Sequence, residues 1–513
     1  MIITKSTVLA AGLTVAAAQK CEHQWDGPFA EHEVDGVPYL RARQNVAPPP
    51  LDIQPLIING PSDNRVDLIF FGDGYTEDEK DKFFKDALFY ATEMTSGQTF
   101  ADHLPLMNFW AGFTASNESG VGTNGTPLDT VYGLYRPGTE LRGVYYAKPE
   151  VARAACQSTD ACDYPMLLGN DPFYGGLGGT FTVVTASPHN GAAVLRHELG
   201  HSIIGVGEEY DGGAVYRGVN SARPGGPVPW TQWYTDPANE PKVQRSNMPI
   251  QAYPWTMLNT SSSWSATFSS AGTYDNMELQ FSISGVLASS DLRVELDGKD
   301  LEWEVNEIVG MDRWIYNMKF DYALEPGSHT LSYTLLNEER EGTAQLCNLE
   351  ILEYGAPDEF THADDFHGLF PTYSDRNATT YRPTNDKCLM RTMHSVDFCD
   401  ACIEGLWYSL LRPLSLIDSI SQAPDGKYTN VTLELLPLAE YREIERPTVE
   451  SYEVLWFAKD GVTVLEQFTN QTSVRLSRCL EEVEVEVRFH TEQVRRDPDG
   501  ILVTREKFEL ERS

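Results

Sequence analysis

Arg196-His197-Glu198-Leu199-Gly200-His201-Ser202, continuing as Ile203-Ile204-Gly205-Val206-Gly207-Glu208-Glu209-Tyr210-Asp211, is the stretch from which the rest of the 513-residue chain is read. Two histidines four residues apart share one face of an α-helix. Both imidazoles can then hold one zinc ion while the intervening Glu198 reaches a water on it. Leu195, Leu199 and Ile203 repeat at the same interval on the opposite side. One face of the helix is patterned to pack and the other to bind.

Upstream, Tyr174-Gly175-Gly176-Leu177-Gly178-Gly179-Thr180 leads into the strand-like Phe181-Thr182-Val183-Val184-Thr185. Glycines beside a strand admit a second backbone, so Gly178, Gly179 and Thr180 are candidates for an edge that pairs with an extended peptide; a plain hairpin tip is the competing reading. Earlier still, Val66–Phe71 reads as a buried strand, Gly72–Tyr75 as a tight turn, and Thr76-Glu77-Asp78-Glu79 as a capping box opening a helix that runs to about Met94. Asp73 and the acidic first turn would repel phosphate, so this unit reads as scaffold. A strand over Met107–Phe113, a helix near 149–155 and a strand from Tyr164 complete the unit.

Downstream the period changes to two. Met277, Leu279, Phe281 and Ile283 alternate, as do Leu292, Val294 and Leu296, with Asp297-Gly298 and Glu325-Pro326-Gly327 as turns. Residues 255–355 therefore read as an inserted β-sandwich. Residues 356–415 hold Cys388-Leu389-Met390-Arg391, Cys399-Asp400-Ala401-Cys402 and an apolar helix. From 416 to 513 alternation returns as a C-terminal, immunoglobulin-like β-sandwich.

Residues 1–18 have the form of a secretory signal, with Lys5, an apolar run from Val8 to Val15, and Ala16-Ala17-Ala18 before Gln19. Residues 19–60 are polar and end past Pro48-Pro49-Pro50, an arm or prosegment in which Cys21 either pairs with a distant cysteine or sits on the metal in a latent form. No later run reaches the ~20 apolar residues of a membrane span. The eight cysteines suit an oxidising, secreted setting: Cys156 and Cys162 can close a small loop, and Cys388, Cys399 and Cys402 favour disulfides over a zinc site, since no second C-x-x-C completes four thiolates. Asn-x-Ser/Thr sequons begin at Asn117, Asn124, Asn259, Asn377, Asn430 and Asn470, so the expected product is a glycoprotein. A formal charge of -36 argues against nucleic acid or an anionic membrane as partner.

Phe71-Gly72-Asp73-Gly74-Tyr75, Ser116 to Gly120, Asn170 to Gly179, His197 to Ser202, Glu208-Glu209-Tyr210-Asp211, Cys388 to Arg391 and Phe398 to Cys402 occur in the order seen in the metallopeptidase family named for a bacterial immunoglobulin A peptidase. The chain resembles that family over most of 60–213 and 385–407. The resemblance implies an α+β, zincin- or metzincin-like catalytic domain formed by 61–254 and 356–415, with Zn2+ as cofactor, His197 and His201 as ligands and Glu198 as general base. A third ligand is required. A straight helix would carry Glu208 about 10 Å past His201, so a bend at Gly205 and Gly207 must bring a side chain back. Glu208 or Glu209 is that ligand, with Glu208 favoured by analogy with related zincins. Tyr210 either donates to an oxyanion or packs, and Met390 or Met393 would be the methionine lying under the site.

The function these residues imply is a secreted zinc endopeptidase acting on protein or peptide substrates. The alternative is a secreted glycan- or protein-binding protein whose sandwiches do the work over a scaffold metal domain. Trp255, Trp264, Trp303 and Trp314 are candidates for glycan contact, with core packing as the competing role. Nothing in the chain encodes cleavage specificity.

Overall fold

The computed structural model describes residues 46–511 except 97, 98, 240 and 445–448, so the signal-peptide reading and Cys21 lie outside the described residues. The first unit is a six-stranded sheet in the order β1-β3-β2-β6-β8-β7. Its strands are β1 (Asp52–Ile57), β2 (Val66–Asp73), β3 (Met107–Phe113), β6 (Tyr164–Gly169), β7 (Gly176–Leu177) and β8 (Thr182–Thr185); a small hairpin of β4 (Leu134–Tyr135) and β5 (Tyr145–Tyr146) lies outside it. β2, β3, β6 and β8 run parallel, and β1 and β7 close the two edges antiparallel. Every residue of β2 is buried, as expected for a parallel strand covered on both faces. Helix α1 (Lys80–Thr95) covers one face through Phe83, Ala87, Tyr90, Ala91 and Met94, at helical spacing, after Thr76 N–H donates to Glu79 Oε2 at 3.0 Å in the capping box. Helix α2 (Pro149–Cys156) lies over the other face, and its C-terminal cysteine forms the Cys156–Cys162 disulfide.

β8 feeds helix α3 (Gly191–Leu199), which packs against α1 and β8. Five strands between Ser246 and Tyr354 form one sheet and four between Trp264 and Leu335 a second; Leu279, Phe281, Val294, Leu331, Tyr333 and Ile351 fill the space between them. This is sandwich geometry, with alternate residues of each strand turned inward. After helix α4 (Asp400–Leu411), two three-stranded sheets make the C-terminal unit. Its core is continuous with that of the first unit: Trp407 packs on His103 and Phe489 with ring centroids 4.2 and 5.4 Å apart. The whole is a mixed fold, rich in sheet, with few helices. No helix among the described residues is long and apolar enough to cross a membrane.

Candidate active site

Glycine and asparagine shape the approach to the site. α3 starts at Gly191, where a Cβ would collide with the Tyr90 ring. Its first turn is held from the inserted sandwich: Asp312, buried, accepts from Ser187 Oγ at 2.7 Å, Asn190 Nδ2 at 2.8 Å and Tyr174 N–H at 2.5 Å. Leu195, Leu199 and Ile203 are buried on the packing side. The regular helix ends at Leu199, and a wider π turn over Gly200–Ile204 carries His201. Gly205, with φ at 69°, reverses the chain. Gly207 passes so close to Arg217 that no side chain fits, and Asn220 clamps the turn by accepting from Gly207 N–H and donating to Gly207 C=O, both at 3.0 Å.

That reversal delivers Glu208 to the histidines. Its Oε2 lies 3.3 Å from His197 Nε2 and its Oε1 3.2 Å from His201 Nε2. The remaining ring nitrogens are already committed, His197 Nδ1 to Leu389 C=O at 3.1 Å and His201 Nδ1 to Val206 C=O at 3.0 Å. A carbonyl only accepts, so both Nδ1 atoms carry the proton and both Nε2 lone pairs face Glu208. Adjacent donors of a tetrahedral metal centre with bonds of 2.0–2.2 Å lie about 3.4 Å apart. His197, His201 and Glu208 meet that spacing and can hold one metal ion. In the absence of an ion a proton taken up at either Nε2 would be shared with Glu208, whose carboxyl is held well below the usual range by the attraction of His201 in spite of burial. Glu208 Oε2 is buried with no hydrogen-bond donor of its own.

Glu209 turns the other way. Its Oε1 accepts from Asn220 Nδ2 at 2.9 Å and faces Cys399 and Cys402, so it does not reach the histidines. The disulfides expected in this segment do not form: Cys388, Cys399 and Cys402 are free, buried thiols gathered around Glu209, and Cys347 and Cys479 are also free. The C-x-x-C spacing was compatible with either arrangement, and the carboxylate brought in from 190 residues upstream of Cys399 distinguishes them.

Glu198 is half-buried and lines a cleft that also exposes His197, Tyr174 and Tyr210. The Tyr210 ring lies beside that of His197, centroids 6.1 Å apart. Met390 is fully buried beneath Gly200, and its carbonyl accepts from Glu209 N–H at 3.0 Å. Edge strand β7 borders the same cleft, but its paired residues are Gly176 and Leu177; Gly178, Gly179 and Thr180 lie just beyond it, where Gly179, φ 134°, turns the chain away. A Cβ on Gly178 would meet Glu198 Oε2, and Ser202 Oγ donates to Gly179 C=O at 2.9 Å, tying this turn to the metal helix.

Residues 55–256 match the family model described as IgA Peptidase M64. Over this region the chain is similar to the IgA peptidase M64 family. No curated protein matches the chain. Among solved structures, a family 35 carbohydrate binding module from an environmental isolate is similar at 11% identity over 29% of this chain and 96% of that one, with a TM-score of 0.16. The corresponding module from Clostridium thermocellum is 11% identical over 23% and 100%, TM-score 0.14. BpGH86A, a beta-porphyranase from the human gut bacterium Bacteroides plebeius, is 16% identical over 21% and only 20% of its length, TM-score 0.17. Scores this low carry no argument about this chain.

The far wall of the cleft belongs to the inserted sandwich. Arg313 stacks between Tyr174 and Trp255, 4.9 Å from each ring centroid, and Arg142 covers Trp255 at 5.1 Å. Sequence reasoning missed Arg313, because a single arginine between a turn and a strand carries no pattern. Of the tryptophans singled out, Trp303 is buried and donates to Leu292 C=O at 2.9 Å, Trp264 packs on Tyr333, Trp314 packs beside His394, and Trp255 lines the cleft.

Proposed function

We propose that this chain is a secreted, zinc-dependent endopeptidase with a zincin-like catalytic unit, in which His197, His201 and Glu208 are the ligands and Glu198 is the general base. The observation carrying this reading is the convergence of two Nε2 lone pairs and one carboxylate at metal-donor spacing, with both Nδ1 atoms anchored on carbonyls. A zinc ion bound there supplies the Lewis acidity that brings a water's pKa toward neutrality and polarises a peptide carbonyl. Glu198 is the one ionisable group of the metal helix that opens on the cleft without being spent on the metal. It takes the proton of the attacking water and returns it to the leaving amine. Tyr210, beside His197, is placed to donate to the oxygen of the tetrahedral adduct. The edge at Gly176–Leu177 offers backbone groups to an extended substrate, which supports cleavage within a chain. Secretion is supported by the leader-like residues 1–18 and by exposure of five of the six sequon asparagines, Asn259 being half-exposed.

The test is Glu198→Gln. Zinc content should persist while hydrolysis of a peptide library falls by about 10²–10⁴-fold, the range of a lost general base. Turnover equal to that of the parent protein would refute the assignment.

A further inference from the structure

Immediately behind the catalytic centre lies a second group of metal donors, Glu209, Cys388, Cys399 and Cys402, all fully buried. They come from three segments. Glu209 follows Glu208 in the returning turn, Cys388 precedes Leu389 and Met390, and Cys399 and Cys402 sit at the N-cap and in the first turn of α4. Cys388 Sγ is 3.8 Å from Cys402 Sγ, and Glu209 Oε1 is 3.7 Å from Cys402 Sγ and 3.9 Å from Cys399 Sγ. A tetrahedral zinc with bonds of about 2.3 Å to sulfur and 2.1 Å to oxygen requires edges of about 3.8 Å between sulfurs and 3.6 Å between sulfur and oxygen.

We propose that Glu209, Cys388, Cys399 and Cys402 bind a second, structural zinc ion, which locks the segment that presents Glu208 to the catalytic centre. The second half of this statement rests on the catalytic reading above; the site itself does not.

Glu209 is the independent witness. Its side chain is fully buried, its Oε2 has no hydrogen-bond partner, and among the described residues no lysine or arginine is in ion-pair contact with it, the attraction of Arg382 acting from farther off. A carboxylate placed so against three thiols is a heavy desolvation cost without a cation, and a disulfide between any two of the sulfurs would leave that cost standing. Four protein donors with no opening to solvent are the mark of a structural rather than a catalytic zinc, and three thiolates select zinc over magnesium or calcium. The N-terminus of α4, where Cys399 N–H donates to Cys388 Sγ at 3.3 Å, offsets part of the site's negative charge.

The link to catalysis runs through two residues. Leu389 C=O receives His197 Nδ1–H, and Met390 C=O receives Glu209 N–H. Fixing Cys388 to Glu209 through one ion therefore fixes the carbonyl that orients His197 and the backbone that carries Glu208. Outer partners of this kind are worth 10–100-fold in metal affinity.

Zinc stoichiometry of the purified full chain, measured by plasma mass spectrometry, tests this beside the His197→Ala/His201→Ala variant. The parent protein should carry two zinc ions, and the double variant, inactive, should keep one. A parent with one zinc that the folded double variant loses would overturn the second site and leave the catalytic reading intact. A parent with one zinc that the double variant keeps would do the reverse. Intact-mass and alkylation analysis of the parent alone gives a check that needs no variant. Cys388, Cys399 and Cys402 should become alkylated only after chelation, and a mass showing a disulfide among them would overturn the proposal. Cys402→Ser should drop to one zinc and release that ion to a competing chelator at least 10-fold more readily than the parent releases its catalytic zinc; unchanged retention would refute the locking role.

Discussion

Asp312→Ala tests the strongest claim about how the metal helix is held, namely that a residue of the inserted sandwich anchors it. Asp312 is buried and accepts from Ser187 Oγ, Asn190 Nδ2 and Tyr174 N–H across the boundary, besides its neighbour's Arg313 N–H at 2.8 Å. Hydrogen bonds to a charged acceptor contribute about 1.5–3 kcal/mol each, and donors left unpaired in a buried site cost about 1–3 kcal/mol. The three boundary-crossing bonds share one acceptor and are not additive, so the expected loss is about 4 kcal/mol, close to the cost of removing one partner from a buried charged network. Converted at 1.36 kcal/mol per decade, that is about a thousandfold in local opening. Hydrogen exchange over residues 187–199, read by mass spectrometry, should show protection lost by that order while the C-terminal strands stay as they were. Asp312→Asn keeps only one accepting oxygen for donors that now face both, and should lose about half. Activity should fall with protection, because a 1 Å displacement of a reacting group costs about 100-fold. Protection within threefold of the parent would refute the anchoring argument.

Two further outcomes follow from other parts of the site and core. Gly178→Ala places a methyl group against Glu198 Oε2, so turnover should fall about 10-fold or more while zinc content stays unchanged; full activity in steady-state kinetics would show that Glu198 does not work from this position. Burial pushes His103 down to about 3 from an ordinary 6.5, so above pH 6.5 both folded and unfolded chains hold it neutral and its contribution is constant. Below that value the unfolded chain binds the proton first, and stability falls by about 1.4 kcal/mol per pH unit until the folded value is reached. Denaturant midpoints between pH 6.5 and 4 should therefore fall less steeply in His103→Leu than in the parent, and parallel curves would refute the assignment.

What could be read in the sequence was whatever local periodicity encodes. The β2–turn–α1 unit, the two faces of α3 and the alternating strands of both sandwiches depend on residues within a turn or a hairpin of each other, so pattern suffices. The strand over Ser246–Ala252 did not show, because its Pro249 and mixed polarity break the alternation. At the site, the two histidines and Glu198 were legible for the same local reason. The choice between Glu208 and Glu209 was not, since it is made by Gly205's positive φ and by Asn220, 11 residues beyond Glu209. The fourth donor beside the cysteines was hidden for a related reason: it is the carboxylate that competed with Glu208 for the place of third ligand, and adjacency in sequence conceals that consecutive side chains of an extended segment point to opposite sides.

The stretch matched by the family model, residues 55–256, is not a self-sufficient piece. Arg391 pairs with Asp211, the residue that ends the returning turn, and Tyr373 N–H donates to the same carboxylate at 2.6 Å, so the turn is braced from beyond the inserted sandwich. Arg65, next to β2, pairs with Asp418 at 2.6 Å in a buried contact with the C-terminal unit, and Trp407 Nε1 donates to Gln493 Oε1 at 2.7 Å. A fragment ending near residue 256 would keep His197, His201 and Glu208 but lose Leu389 C=O, the acceptor that fixes the His197 tautomer, together with Asp312 and the whole cysteine cluster. Each loss removes a constraint on the His197, His201 and Glu208 donors rather than one of those three donors. Such a fragment should retain the motif and bind zinc weakly, because affinity at such a centre depends on how rigidly the donors are held as well as on their chemistry.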